Sequence, residues 1–138
     1  MKYIIAIDLG TTHCKAITVD ENAKTIQSFK ATVNSIQTQE GHHEQDAEQI
    51  FQTVLQLLKQ SLQTLNHSEV TCVSFSAAMH SLLVVDENGE PLTNTITWAD
   101  TRSKKYAQQL RNTEQGKKFT GKQELRYMLC RLFVKFFL

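Results

Sequence analysis

Hydrophobic positions along the chain change their period twice, and each change marks an element. Tyr3-Ile4-Ile5-Ala6-Ile7 is a continuous run of β-branched and aromatic residues, the pattern of a buried strand. Lys15-Ala16-Ile17-Thr18-Val19-Asp20 predicts a second strand. Asp20-Glu21-Asn22-Ala23 has turn chemistry, and a third strand follows over 25–32. The opening unit is therefore an antiparallel meander. A polar loop runs from Asn34 to Glu44. Ile50, Phe51, Val54, Leu57, Leu58, Leu62 and Leu65 then recur at three- and four-residue steps, which predicts an amphipathic helix with one buried stripe. Asp46 suits its N-cap, and Glu48 suits the positive end of the helix dipole.

Val70–Ser76 predicts a fourth strand and Ser81–Asp86 a fifth, closed by the Asp86-Glu87-Asn88-Gly89 turn. Ile96-Thr97-Trp98 is a short extended piece. Residues 102–115 predict a helix with Tyr106, Ala107 and Leu110 on one face. From Leu125 to Leu138 nearly every residue is apolar, relieved only by Arg126, Arg131 and Lys135. Such a segment needs a cover, because exposed it invites aggregation. A partner copy would provide that cover and make the chain a homo-oligomer.

Composition narrows the class. The 138 residues suit one domain. Fifteen Lys and Arg against fourteen Asp and Glu give a net charge of +1, which argues against a nucleic-acid binder. Cys14, Cys72 and Cys130 lie far apart, the pattern of buried structural cysteines in a reducing cytoplasm. Asp8 interrupts the apolar start, and no run approaches the roughly 20 apolar residues a membrane helix needs. The expectation is a soluble cytoplasmic protein.

One motif carries clear chemistry. Asp8-Leu9-Gly10-Thr11-Thr12 follows the first strand. Gly10 lets backbone approach a phosphate, and the Thr11 and Thr12 N–H and O–H groups can donate to phosphate oxygens. Asp8 can hold Mg²⁺, which favours carboxylate and phosphate oxygens. Lys15 adds charge nearby. The same residues also read as an ordinary hairpin with a glycine turn, and spacing alone does not separate the two. Further along, His80 and Asp100 offer hydrogen bonds to hydroxyls, and Trp98 offers an apolar face to sugar C–H groups. Arg102 can pair with a carboxylate, as a sugar acid would supply. A structural His, a core Trp, and an Arg that is solvated or merely orients Asp100 are the competing readings.

Ile5-Ala6-Ile7-Asp8-Leu9-Gly10-Thr11-Thr12 with Lys15-Ala16 resembles the first phosphate motif of the actin-like ATPase superfamily, in its sugar kinase branch. Three later stretches resemble the FGGY carbohydrate kinases. They are Glu44-Gln45-Asp46, Ser74–Leu82 with Asp86–Leu92, and Ile96-Thr97-Trp98-Ala99-Asp100-Thr101-Arg102-Ser103. Met79-His80-Ser81 joined to Trp98-Ala99-Asp100-x-Arg102-Ser103 is similar to gluconate kinases, whereas xylulose kinases more often show Met-His-Gly.

The resemblance implies an α/β, ribonuclease H-like fold, a mixed sheet with flanking helices, of which this chain is part. It implies ATP and Mg²⁺ as cofactors and transfer of the γ-phosphoryl to a sugar or sugar acid, D-gluconate giving 6-phosphogluconate first among them. Asp8, Gly10, Thr11, Thr12 and Lys15 would meet phosphates and metal. Met79, His80, Trp98, Asp100 and Arg102 would line the sugar. The catalytic base and the adenosine site would lie beyond residue 138, so the chain alone is expected to be inactive. After Thr120-Gly121 the family pattern stops, and 122–138 reads as a tail separate from the 1–121 domain, introduced by a frameshift or premature end. A contrasting reading keeps the chain as a non-catalytic interaction module that oligomerises through this tail.

Overall fold

The computed structural model describes residues 1–114 and 116. Expectations for Gln115, Cys130 and the 122–138 tail fall outside the described residues. Three strands open the chain: β1 (Tyr3–Leu9), β2 (His13–Asp20) and β3 (Thr25–Thr32). They pair antiparallel as the meander predicts, with Asp8 opposite Lys15 and Ala16 opposite Phe29. The turn between β2 and β3 is held by Asp20, whose Oδ1 accepts from the Asn22 and Lys24 amides at 2.9 Å.

Next come β4 (Glu44–Gln45), the helix α1 (Ala47–Gln63), β5 (Val70–Ala77), β6 (Thr95–Ile96) and the helix α2 (Lys104–Arg111). β5 lies beside β1 and runs parallel to it, giving a mixed sheet in the order β3-β2-β1-β5. β4 and β6 form a small second sheet. The main sheet and helices are the expected α/β arrangement.

Asp46 caps α1 as predicted, its Oδ1 accepting from the Glu48 amide at 2.9 Å and the Gln49 amide at 3.1 Å. The helix packs on β2 and β3 and touches β1. Between them lies the core: Ile5, Ile7, Cys14, Ala16, Val33, Val54 and Leu57. Gln27 on β3 ties the sheet to the end of α1. Its Nε2 donates to the Ser61 carbonyl at 2.6 Å, and its Oε1 accepts from Thr64 Oγ1 at 2.7 Å.

Four expectations need correction. Phe51 is 55% exposed and not part of the buried stripe. It sits about 120° round the helix from the buried Leu57. Ser81–Asp86 is not a strand: only Leu82 bridges to Ile96 and Val85 to Pro91. Pro91 has no amide to give, so the ladder cannot extend through it. α2 is shorter than expected, and Tyr106, Ala107 and Leu110 are all exposed. Cys14 is buried as expected, but Cys72 on β5 is exposed. Burial, and secondarily the charge of Asp8, pushes the Cys14 thiol up.

Candidate functional site: a glycine turn beside a polar wall

The carboxyl ends of two parallel strands, β1 and β5, meet at one edge of the fold. In open α/β sheets that is where ligand crevices form. Alternation along β1 puts Ile5 and Ile7 toward α1 and leaves Asp8 on the opposite, open face. Its neighbours in register are Lys15 on β2 and Ser76 on β5. A carboxylate, an ammonium and a hydroxyl therefore share one exposed patch at the strand tips.

The Gly10–Thr12 turn follows directly. The Gly10 amide donates to the His13 carbonyl at 3.0 Å, which closes the bend. A Cβ on Gly10 would sit 2.7 Å from that same oxygen, so the bend requires glycine. Thr12 is exposed and Thr11 half-buried, so their donors are not packed shut. The Thr12 carbonyl accepts from the Val33 amide at 3.0 Å, and the Thr11 carbonyl from Gln45 Nε2 at 2.9 Å. Both oxygens of the turn point into the protein, which leaves amides for a ligand.

β5 delivers the second half of the site. The Ala78 amide donates to the Leu9 carbonyl at 3.0 Å, joining the end of β5 to the start of the turn. Two residues later His80 has φ of 66°, a left-handed conformation uncommon for a residue with a side chain. Such outliers collect at functional sites. Met79, 64% exposed, precedes it. Residues 82 and 96 exchange backbone hydrogen bonds at 2.8 Å, and the 94–102 segment carries Trp98, 61% exposed.

Asp100 and Arg102 meet each other. Arg102 Nε lies 3.0 and 2.9 Å from the two Asp100 oxygens, and Nη2 lies 2.8 Å from Oδ2 and 2.5 Å from Glu44 Oε1. Asp100 also accepts from the His43 and Arg102 amides, each at 3.0 Å. The Asp100 side chain is only 4% exposed. The Arg102 hydrogen bond, helped by the His43 amide, holds its carboxyl far below the usual carboxylate range. Glu44 is lowered too, first by Asn94 and then by Arg102, and Arg102 is raised, chiefly by Asp100. The pair thus locks the 94–102 segment, with Asp100 bonded inward. In the sequence Glu44 and Gln45 stand out only through the resemblance of the Glu44-Gln45-Asp46 stretch, which assigns them no role. Their partners, 34 to 58 residues away in sequence, appear only on folding.

The residues present fit a Mg²⁺–nucleotide phosphate. Among the described residues no cluster of His, Cys, Asp or Glu could hold a metal by itself. A lone exposed Asp8 suits Mg²⁺, which brings waters and phosphate oxygens as its other ligands.

Comparison with known proteins decides the family. Residues 3–133 match the N-terminal domain of the FGGY family of carbohydrate kinases. The chain belongs to the FGGY carbohydrate kinases. It is 36% identical over 114 residues to a gluconokinase of Bacillus licheniformis, covering 83% of this chain and 22% of the relative. It is 32% identical over 111 residues to a xylulose kinase of Staphylococcus xylosus, covering 80% and 23%. The structure of a gluconate kinase from Lactobacillus acidophilus superimposes with a TM-score of 0.76 at 37% identity, covering 80% of this chain and 22% of that one. This FGGY chain therefore spans less than a quarter of the length of these relatives. The actin-like ATPase fold expected from the sequence is the fold of its structural neighbours. Among the described residues, no helix is long and apolar enough to cross a membrane.

Proposed function

We propose that the full-length protein containing this chain transfers the γ-phosphoryl of ATP to a primary hydroxyl of a sugar acid or sugar, D-gluconate first among them. The observation that carries the reading is the patch of Asp8, Lys15 and the glycine turn, which the Ala78–Leu9 bond joins to the segment carrying the left-handed His80. Phosphoryl transfer needs mainly positioning and charge stabilisation, and these groups suit both. Asp8 would hold Mg²⁺, which neutralises charge on the phosphates. Lys15 and the amides of Thr11 and Thr12 would bind phosphate oxygens, with Gly10 giving them room.

On the wall, His80 would hydrogen-bond a hydroxyl, while Met79 and Trp98 present apolar surface to the carbon chain. Asp100 acts from behind, by fixing the segment that carries Trp98. Arg102 contributes to a substrate carboxylate through Nη1, the nitrogen that neither Asp100 nor Glu44 takes. Gluconokinase and xylulose kinase relatives match at similar identity. D-gluconate is favoured by the Met79-His80-Ser81 and Trp98–Ser103 stretches, and xylulose or another polyol is the alternative.

A coupled assay on the full-length protein with gluconate, xylulose and glycerol tests the proposal. ATP consumption that is fastest with gluconate is expected. Consumption with none of the three rejects the kinase reading, and a clear preference for xylulose or glycerol rejects the substrate. Asp8→Ala should cut turnover about a hundredfold or more.

A further inference from the structure

The strip from Gly41 to Asp46 touches both halves of the site. Toward the wall it makes a dense set of bonds. The His43 carbonyl accepts from the Thr97 amide at 2.9 Å and from Thr97 Oγ1 at 3.0 Å. The Gly41 carbonyl accepts from the Thr101 amide at 2.9 Å. Glu44 accepts from Asn94 Nδ2 at 2.9 Å and from Arg102 Nη2. Toward the phosphate turn it makes the Gln45–Thr11 bond. Neighbouring side chains on a strand point to opposite sides, so Glu44 can serve the wall while Gln45 serves the turn.

Gln45 is 4% exposed. A buried amide at that depth is bonded as a rule, and one that reaches another loop's backbone constrains that backbone. The Thr11 carbonyl and the Thr12 N–H belong to one planar peptide and point in opposite directions. Holding the oxygen inward therefore aims the N–H outward, at the side where the ligand would lie.

We infer that Gln45 is a positioning residue: its side-chain amide aims the Thr11–Thr12 peptide and, through β4, holds the phosphate turn in register with the Thr97–Arg102 wall. The meaning of that register for phosphoryl transfer rests on the function proposed above; the bond network does not.

Amide hydrogen exchange by NMR on the full 138-residue chain tests it. The Gly10 and Val33 amides, which close the turn, are the reporters. Gln45→Ala should speed their exchange about fivefold, the effect of losing one supporting hydrogen bond, with the central β1 amides unchanged. Gln45→Glu keeps the volume but, as a carboxylate, cannot donate. It should match Gln45→Ala at neutral pH.

A carboxyl at so buried a position titrates above its ordinary range, so mild acid protonates it and restores a donor to Thr11. The Thr12 amide shift should then return toward its wild-type value in Gln45→Glu and not in Gln45→Ala. Should Gln45→Ala not fold, the acid recovery in Gln45→Glu decides alone. Wild-type exchange at both reporters in Gln45→Glu at neutral pH, or no acid recovery, overturns the inference. That outcome leaves the kinase assay untouched, and a failed kinase assay leaves this bond in place.

Discussion

The two halves of the chain are held together by different forces. Residues 1–65 enclose a core in which Ile5, Cys14 and Ala16 are fully buried and Ile7 and Leu57 nearly so. Residues 70–114 bury little: Val73 and Phe75 on β5 are 40% and 58% exposed, and α2 has no buried residue. What orders the second half is a lattice of directional polar bonds around Glu44, Asp100 and Arg102. The first half resists through apolar burial, whereas the second resists through geometry and charge. The candidate site straddles the two, with the Gly10–Thr12 turn on the first and the Thr97–Arg102 segment on the second.

This contrast predicts that the halves fail separately. The largest effect belongs to the core. Leu57→Ala leaves a cavity under β2 and should cost about 3 kcal/mol, read as a fall in urea midpoint. A cost under about 1 kcal/mol would mean that α1 is loosely seated.

Acid should strike the other half first. Asp100 and Glu44 have folded-state values below their ordinary ones. Carboxylates shifted down contribute stability that is complete above their unfolded value, near 4. It is lost as pH falls through the folded value. The wall should therefore loosen below about pH 4, while α1, seated on an apolar core, should keep its helical signal there. Trp98 is the only tryptophan, so its fluorescence reports the wall and far-UV circular dichroism reports the helix. Coincident transitions from pH 4 downward would erase the distinction between the halves.

The N-cap sets a smaller effect. Asp46→Ala removes two accepted hydrogen bonds at the start of α1 and should cost about 1 kcal/mol. It also sits next to Gln45, so chemical shifts at Thr11 and Thr12 will tell whether helix fraying reaches the turn.

How far the sequence revealed this arrangement follows the same divide. The meander was legible because unbroken β-branched runs alternate with turn residues. α1 was legible from its period and from Asp46. The buried centre of α1 was less so, because Thr53 and Ser61 lie on it. Both satisfy their hydroxyls within the helix, Thr53 to the Gln49 carbonyl and Ser61 to the Leu57 carbonyl. Hydropathy marks such residues as solvent-facing, so it sets the stripe off-centre and takes in Phe51. Leu82-Leu83-Val84-Val85 looked like a strand, yet its partner segment contains Pro91. Asp8, Gly10 and the threonines are candidates from their chemistry, with an ordinary hairpin left open beside it. The Glu44–Arg102–Asp100 cluster could not be chosen in this way, because side-chain pairing between distant segments leaves no local periodicity. Arg102 has three open readings in the sequence; the structure adds its pairing with Asp100 and Glu44, which no local pattern announces.

The smallest predicted effect gives the sharpest comparison, because it sets two neighbours side by side. Ile7 on β1 and Phe75 on β5 are in register, so their side chains leave the same face of the sheet. Ile7 is 1% exposed because α1 lies over it, whereas Phe75, one strand further out, is 58% exposed. Ile7→Ala should cost about 3 kcal/mol, and Phe75→Ala about 0.5 kcal/mol or less, since a phenyl ring already in water has little burial to lose. Urea unfolding of both variants in the full chain measures the difference. If Phe75→Ala cost as much as Ile7→Ala, something would cover the outer strand in solution, and the second half would have an apolar anchor after all. If only Ile7→Ala is costly, the outer half of this sheet face contributes surface and no core, as the exposures require.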